Sequence, residues 1–202
     1  MNPSRLKVRG ANSTQEASQT EVTELIERAS GGDFEAFGEL YGIYLDRIYR
    51  YVFYQLREKM TAEDLTEEIF LKAWRAIGSY KGKGQAFSSW LYRIAHNHVI
   101  DEFRSRRKQM VSLEAEMEIA AEVAEPQQEM ERGLTEQGML RLISCLPQKQ
   151  KQVIVLKFVE GLDNREIGQI TGKSQGAIRI SQMRALTALR QRLHGENQEN
   201  ES

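Results

Sequence analysis

From residue 33 onward, apolar side chains recur every three or four positions. Phe34, Phe37, Leu40, Tyr41 and Tyr44, then Leu45, Ile48, Tyr51 and Val52, trace one stripe of a helix, because residues at that spacing share a helical face. Asp33, following Gly31 and Gly32, suits the N-cap, where its carboxylate accepts from otherwise orphaned N–H groups. A second helix is expected near Thr61, where Thr61-Ala62-Glu63-Asp64 approximates a capping box. Leu65, Ile69, Ala73 and Ile77 form its buried stripe, with Phe70 and Trp74 on a second stripe beside it. The glycine-containing run from Gly78 to Gly84 ends this helix. A third is expected from about Ser88 to Arg107, packing through Trp90, Leu91, Ile94, Ala95, His98, Val99 and Phe103. No stretch sustains a two-residue alternation, so the expected fold class is all-α.

Residues 163–184 carry the sharpest local pattern. Asp163 and Glu166 are spaced as a capping box that opens a short helix. Gly172 can take the left-handed conformation that ends it, and Ser174 can cap the long helix that follows. Gly168 permits close approach of the two helices, with Ile167 and Ile178 packed between them. This is a helix-turn-helix, whose second helix enters the DNA major groove. Ile178, Ala185, Leu189 and Leu193 are its inward face; Gln175, Arg179, Gln182 and Met183 lie on another. Arginine reads guanine edges and binds phosphates, which makes Arg179 and Arg184 candidates for direct contact.

Charge changes the picture. The chain of 202 residues has a formal net charge of only −1, which by itself speaks against a polyanion partner. That average hides segregation: residues 34–110 carry net +3, 111–136 net −7, and 137–194 net +7. Two basic blocks flanking an acidic one point to nucleic acid as the partner of the blocks. Five segments are expected: a flexible arm over 1–32, a helical domain over 33–108, an acidic linker over 109–136, a helix-turn-helix domain over 137–194, and a disordered tail over 195–202. The linker has too few large apolar residues to build a core. The first domain closes on Arg104, Arg106, Arg107 and Lys108, beside aromatics; cations with aromatics suit single-stranded nucleic acid, although Phe87 and Trp90 are expected in the core.

Other chemistry is weakly represented. Cys145 is the single cysteine, unable to form an internal disulfide or a zinc site, and is expected in the core. His96 and His98, two apart on a helix, face different directions and lack a third ligand. No phosphate-cradling glycine loop or nucleophile arrangement is present. No cofactor, metal or enzymatic activity is expected. The N-terminal stretch MNPSRLKVRGANSTQEASQT lacks a signal peptide's apolar core, and no apolar run approaches the ~20 residues of a membrane span. A cytoplasmic location is therefore expected.

Three strings together resemble a family: AEDLTEEIFLKAWR (62–75), FSSWLYRIAHNHVIDEFRSRR (87–107) and LPQKQKQVIVLKFVEGLDNREIGQITGKSQGAIRISQMRALTALRQRL (146–193). They are similar to conserved regions 2.2, 2.3–2.4 and 4 of the extracytoplasmic-function sigma factors of bacterial RNA polymerase. The resemblance implies that the 62–75 helix grips the β′ subunit of core polymerase through Asp64, Glu67 and Phe70, with Trp74 as packing support. It implies that Asn97 and Asp101 meet the promoter −10 element, that the Gly82–Ser88 loop shapes a pocket for a flipped base, and that Arg179, Met183 and Arg184 meet the −35 duplex. It also implies a linker threaded through polymerase, contacts with the β and β′ subunits, and an anti-sigma partner. Ile180 and Ser181 depart from the serine-plus-basic pair common in this stretch, so the −35 sequence stays open. A regulator using only the helix-turn-helix is the alternative, and the 62–107 match weighs against it. A non-DNA adaptor is a third reading, disfavoured by the basic terminal block.

Overall fold

The computed structural model describes residues 19–82, 86–114 and 136–199. Most of the expected linker, residues 1–18 of the expected arm, 83–85 of the Gly82–Ser88 loop and 200–202 of the expected tail lie outside that range. Among the described residues all regular structure is helical.

The N-terminal domain is built from α1 (Gln19–Ser30), α2 (Phe34–Leu56), α3 (Lys59–Ala76) and α4 (Phe87–Glu114), with a short 3-10 turn over Ile77–Ser79. Asp33 caps α2 as expected: its Oδ1 accepts from the Ala36 N–H at 3.1 Å. Its other oxygen accepts from Arg28 Nε at 2.8 Å, tying α1 to the start of α2. That contact corrects part of the expected flexible arm. Val22, Leu25 and Ala29 are buried, with Ile26 packed beside them; this 22-25-26-29 spacing is one helical face, and it docks α1 on α2. α3 begins at Lys59, slightly earlier than Thr61. Ile48, Tyr51, Val52, Ile69, Leu91 and Val99 form a core sealed from solvent.

The C-terminal domain holds α5 (Glu136–Ser144), α6 (Gln148–Ile154), a π-helical turn (Val155–Val159), α7 (Asn164–Thr171) and α8 (Gln175–Glu199). Val153, Leu156, Ile167, Ile178 and Ala185 make its core. Cys145 is exposed, contrary to expectation: α5 stops at Ser144, the chain turns, and Leu146 takes the inward place. α8 continues to Glu199, into the stretch expected as a disordered tail; once nucleated, a helix adds residues at little cost. Leu193, expected inward, is largely exposed near that end.

The two domains lie against each other. α7 packs on α4, while α5, α6 and the π turn meet α2. Between them the Glu160 side chain is fully buried. Arg50 holds it with a fork, Nε to Oε1 and Nη2 to Oε2, both at 2.9 Å. The Tyr92 hydroxyl donates to Oε2 at 2.6 Å, and Arg47 Nε stands 3.8 Å from the same oxygen. No helix among the described residues is long and apolar enough to cross a membrane.

Candidate nucleic-acid and partner interfaces

The helix-turn-helix forms by the local chemistry its sequence predicts. Asp163 Oδ1 accepts from the Arg165 and Glu166 N–H groups at 2.7 and 2.8 Å, and Glu166 Oε2 accepts from the Asp163 N–H at 2.8 Å. Gly172 ends α7 at φ 69°. Ser174 Oγ accepts from the Ala177 N–H at 3.2 Å, starting α8. With Ile178 and Ala185 turned inward, Arg179, Met183 and Arg184 are all exposed. Arg179 and Met183, one turn apart, share a face, whereas Arg184 is rotated well away from it. Gln182, read from sequence as part of the outward face, instead donates from Nε2 to Asn164 Oδ1 at 2.9 Å and braces α8 against α7.

On α4, Asn97, Asp101 and Arg104 occupy one exposed face. Arg104 Nη1 pairs with Asp101 Oδ1 at 3.3 Å. Arg107 is exposed beside them. Arg106 stands apart: it turns to the opposite side and pairs with Glu102 at 2.6 Å and Glu58 at 2.9 Å, joining α4 to the start of α3. The hydrogen bonds from Thr61 and Arg106 hold the Glu58 carboxyl below its ordinary pKa. Arg106 thus ties α4 to the start of α3, which sets it apart from the face that carries Asn97, Asp101 and Arg104. Phe87 and Trp90 are buried, as core residues should be.

His96 and His98 serve packing. The Tyr51 hydroxyl lies 3.3 Å from His96 Nδ1, and burial, aided by Lys173, pushes the imidazole pKa down to about 4. Burial likewise lowers His98. Among the described residues no cluster of three or more His, Cys, Asp or Glu is placed to hold a metal.

Across α2 and α3 runs an apolar groove lined by Phe34, Phe37, Tyr41, Glu67, Phe70, Leu71 and Trp74. Three of the four expected partner-binding residues meet here. Phe70 is buried against Tyr41, their rings 4.6 Å apart. Trp74 stands edge-on to Phe34 at 5.6 Å. Asp64 is exposed one turn earlier on α3. Sequence reading did not single out Phe34 and Leu71 as groove residues, and placed Phe34 in the apolar stripe; they are 71% and 57% exposed. Their signal is positional: Phe34 follows the cap directly, and Leu71 breaks the polar side of its helix.

Residues 40–109 match the family model for Sigma-70 region 2, and residues 136–189 that for Sigma-70, region 4. The chain is 38% identical over 175 residues to the ECF RNA polymerase sigma factor BldN of Streptomyces coelicolor, covering 86% of this chain but 66% of that relative, just under two thirds. It is 32% identical over 182 residues to the ECF RNA polymerase sigma factor SigW of Bacillus subtilis, covering 85% of this chain and 96% of SigW. Among solved structures, CnrH in complex with the cytosolic domain of CnrY superposes with a TM-score of 0.66 at 21% identity, over 87% of this chain and 98% of that one. The sigma factor RpoE in complex with the anti-sigma factor NepR from Bartonella quintana gives 0.65 at 22% identity, over 78% and 96%. At such identities the likeness concerns the fold.

Proposed function

The chain belongs to the extracytoplasmic-function sigma factors of bacterial RNA polymerase, and we propose that it binds core polymerase, recognises a two-part promoter and starts transcription of a specialised gene set. The observation that carries this reading is the pairing, in one chain, of an exposed recognition helix in α8 with an apolar groove across α2 and α3. Each serves a different partner. The groove, with Asp64 and Glu67 beside Phe34, Phe70, Leu71 and Trp74, suits an amphipathic helical segment of the β′ subunit, because apolar anchors in a groove supply affinity and rim charges supply orientation.

Residues 33–108 would then serve the −10 element and 137–194 the −35 element. Asn97, Asp101, Arg104 and Arg107 face the melted strand from α4, where a flipped base costs a few kcal/mol of unstacking that new contacts offset. Arg179, Met183 and Arg184 face the −35 duplex from α8. Both sites are small, and tethering them through polymerase raises their effective concentration on one promoter. The site of action is the cytoplasm, where polymerase works. CnrH and RpoE are each complexed with another protein, NepR being an anti-sigma factor; an anti-sigma partner is proposed for this chain too.

The deciding experiment is run-off transcription with purified core polymerase over a library of promoter fragments. Initiation that depends on this protein and shares a two-part motif is the expected result. No stimulation, with the polymerase shown competent with another sigma factor, would overturn the reading in favour of a regulator that binds duplex alone.

A further inference from the structure

The interface between the domains joins two basic blocks, which ought to repel. Residues 137–194, of net charge +7, contain just three acidic side chains: Glu160, Asp163 and Glu166. Two of them face the N-terminal domain. Glu166 accepts from Ser89 Oγ at 3.5 Å, and Glu160 is buried completely under Arg50, Arg47 and Tyr92. The receiving surface is built for an oxyanion. A guanidinium fork grips a carboxylate and a phosphate by the same two parallel hydrogen bonds, and the Tyr92 hydroxyl adds a third donor. Arg47 lies 6.0 Å from the Tyr44 ring and 5.9 Å from the Tyr92 ring. Cations interleaved with aromatic faces are what single strands bind.

We propose that Arg47, Arg50 and Tyr92 form a binding site for a phosphate of single-stranded nucleic acid, and that Glu160 occupies this site in the closed protein as an internal stand-in. The proposal rests on the reading of two promoter elements given above. Those elements lie, by their names, about 25 base pairs apart, roughly 85 Å along the duplex. A compact chain of this length has a radius of gyration of about 16 Å. It cannot hold both elements while closed, so Glu160 leaves its site on the promoter. Two arginines side by side are then without their shared anion, on the same domain that meets the melted strand. The backbone of that strand supplies the replacement, so closure and strand binding compete for one site.

The test uses the full chain without polymerase and a short fluorescent single-stranded DNA as probe, with small-angle scattering to report opening. Glu160→Gln keeps the shape and removes the charge. It should enlarge the scattering radius and tighten DNA binding about tenfold. Its logarithmic affinity should fall more steeply with salt, by about 0.7 per phosphate engaged. Adding R47A and R50A to E160Q should leave the chain equally extended but return affinity to the wild-type level or below. An extended E160Q chain that binds no tighter, or a triple variant that binds as tightly as E160Q, overturns the site.

A second arm does not require E160Q to fold. Holoenzyme carrying R47A/R50A should hold a pre-melted promoter about tenfold less tightly than wild-type holoenzyme, with a shallower salt dependence. Equal affinity there also overturns the site. Failure of wild-type holoenzyme to initiate at all would instead count against the sigma-factor reading, which keeps the two failures distinguishable.

Discussion

A methyl group at position 168 has nowhere to go. A Cβ there would lie 2.9 Å from the Lys173 carbonyl oxygen and 3.6 Å from Ile178 Cδ1. Gly168→Ala should cost about 1–3 kcal/mol as α8 is pushed outward, read as a lower urea midpoint together with weaker −35 DNA binding. Full retention of both would show that the turn relaxes freely. Removing the cap with Asp163→Ala should cost about 1 kcal/mol by the same urea measurement. His96 makes a pH prediction. Its folded pKa of about 4 lies below the unfolded value of 6.5, so below pH 6.5 the unfolded chain takes up a proton that the folded chain refuses. Stability therefore falls as pH drops from 6.5 towards 4, by about 1.4 kcal/mol per unit, and is unaffected by this group above 6.5. His96→Gln should remove that slope; identical slopes in the two proteins would mean that His96 is hydrated in the folded state. The roles of Gly168, Gly172, Asp163 and Ser174 were legible from sequence because each acts on backbone within a few residues of itself.

At the scale of the element, legibility followed the strength of the stripe and its punctuation. α2 has an aspartate cap and a long apolar face, and its start was readable to the residue, while its end at Leu56 was not. α1 was not: four apolar positions among QTEVTELIERAS make a thin stripe, stabilised by docking more than by its own propensity. α8 was readable as a helix, yet only the structure shows that Gln182 braces α7 and that Met183 is 62% exposed. Arg179→Ala should weaken promoter recognition without loss of polymerase binding; equal transcription from the cognate promoter would remove Arg179 from the interface. For the groove, Phe34→Ala and Asp64→Ala should each weaken core polymerase binding in a pull-down while leaving duplex DNA affinity of the chain unchanged. Phe34 already spends its surface on water, so this substitution should cost little stability, which separates an interface role from a core role.

The whole molecule was the least legible scale. A contact between residues 50 and 160 leaves no local trace, and Glu160 before Gly161 reads as an ordinary solvated charge. Where the helices of the two domains pack, one buried carboxylate takes hydrogen bonds from Arg50 and Tyr92 and pairs with Arg47, with Gln148 donating to Gln55 at 3.1 Å nearby. Stripping one partner from a buried ion pair usually costs about 3–5 kcal/mol because the other charge is stranded. On the proposal above the domains part, and Glu160 regains water. Arg50→Ala should therefore enlarge the scattering radius while shifting the urea midpoint much less than a core lesion of that size; a large midpoint shift with no change in radius would show that the domains cannot separate.

The two halves of this contact are also separated in time. Arg50 and Glu160 lie 110 residues apart, and a ribosome adds about 5–20 residues per second. The N-terminal domain is complete once α4 ends at Glu114, with its basic face uncovered for roughly 2–9 seconds before Glu160 has been made. Every newly made copy thus passes through the uncovered form before closure can begin.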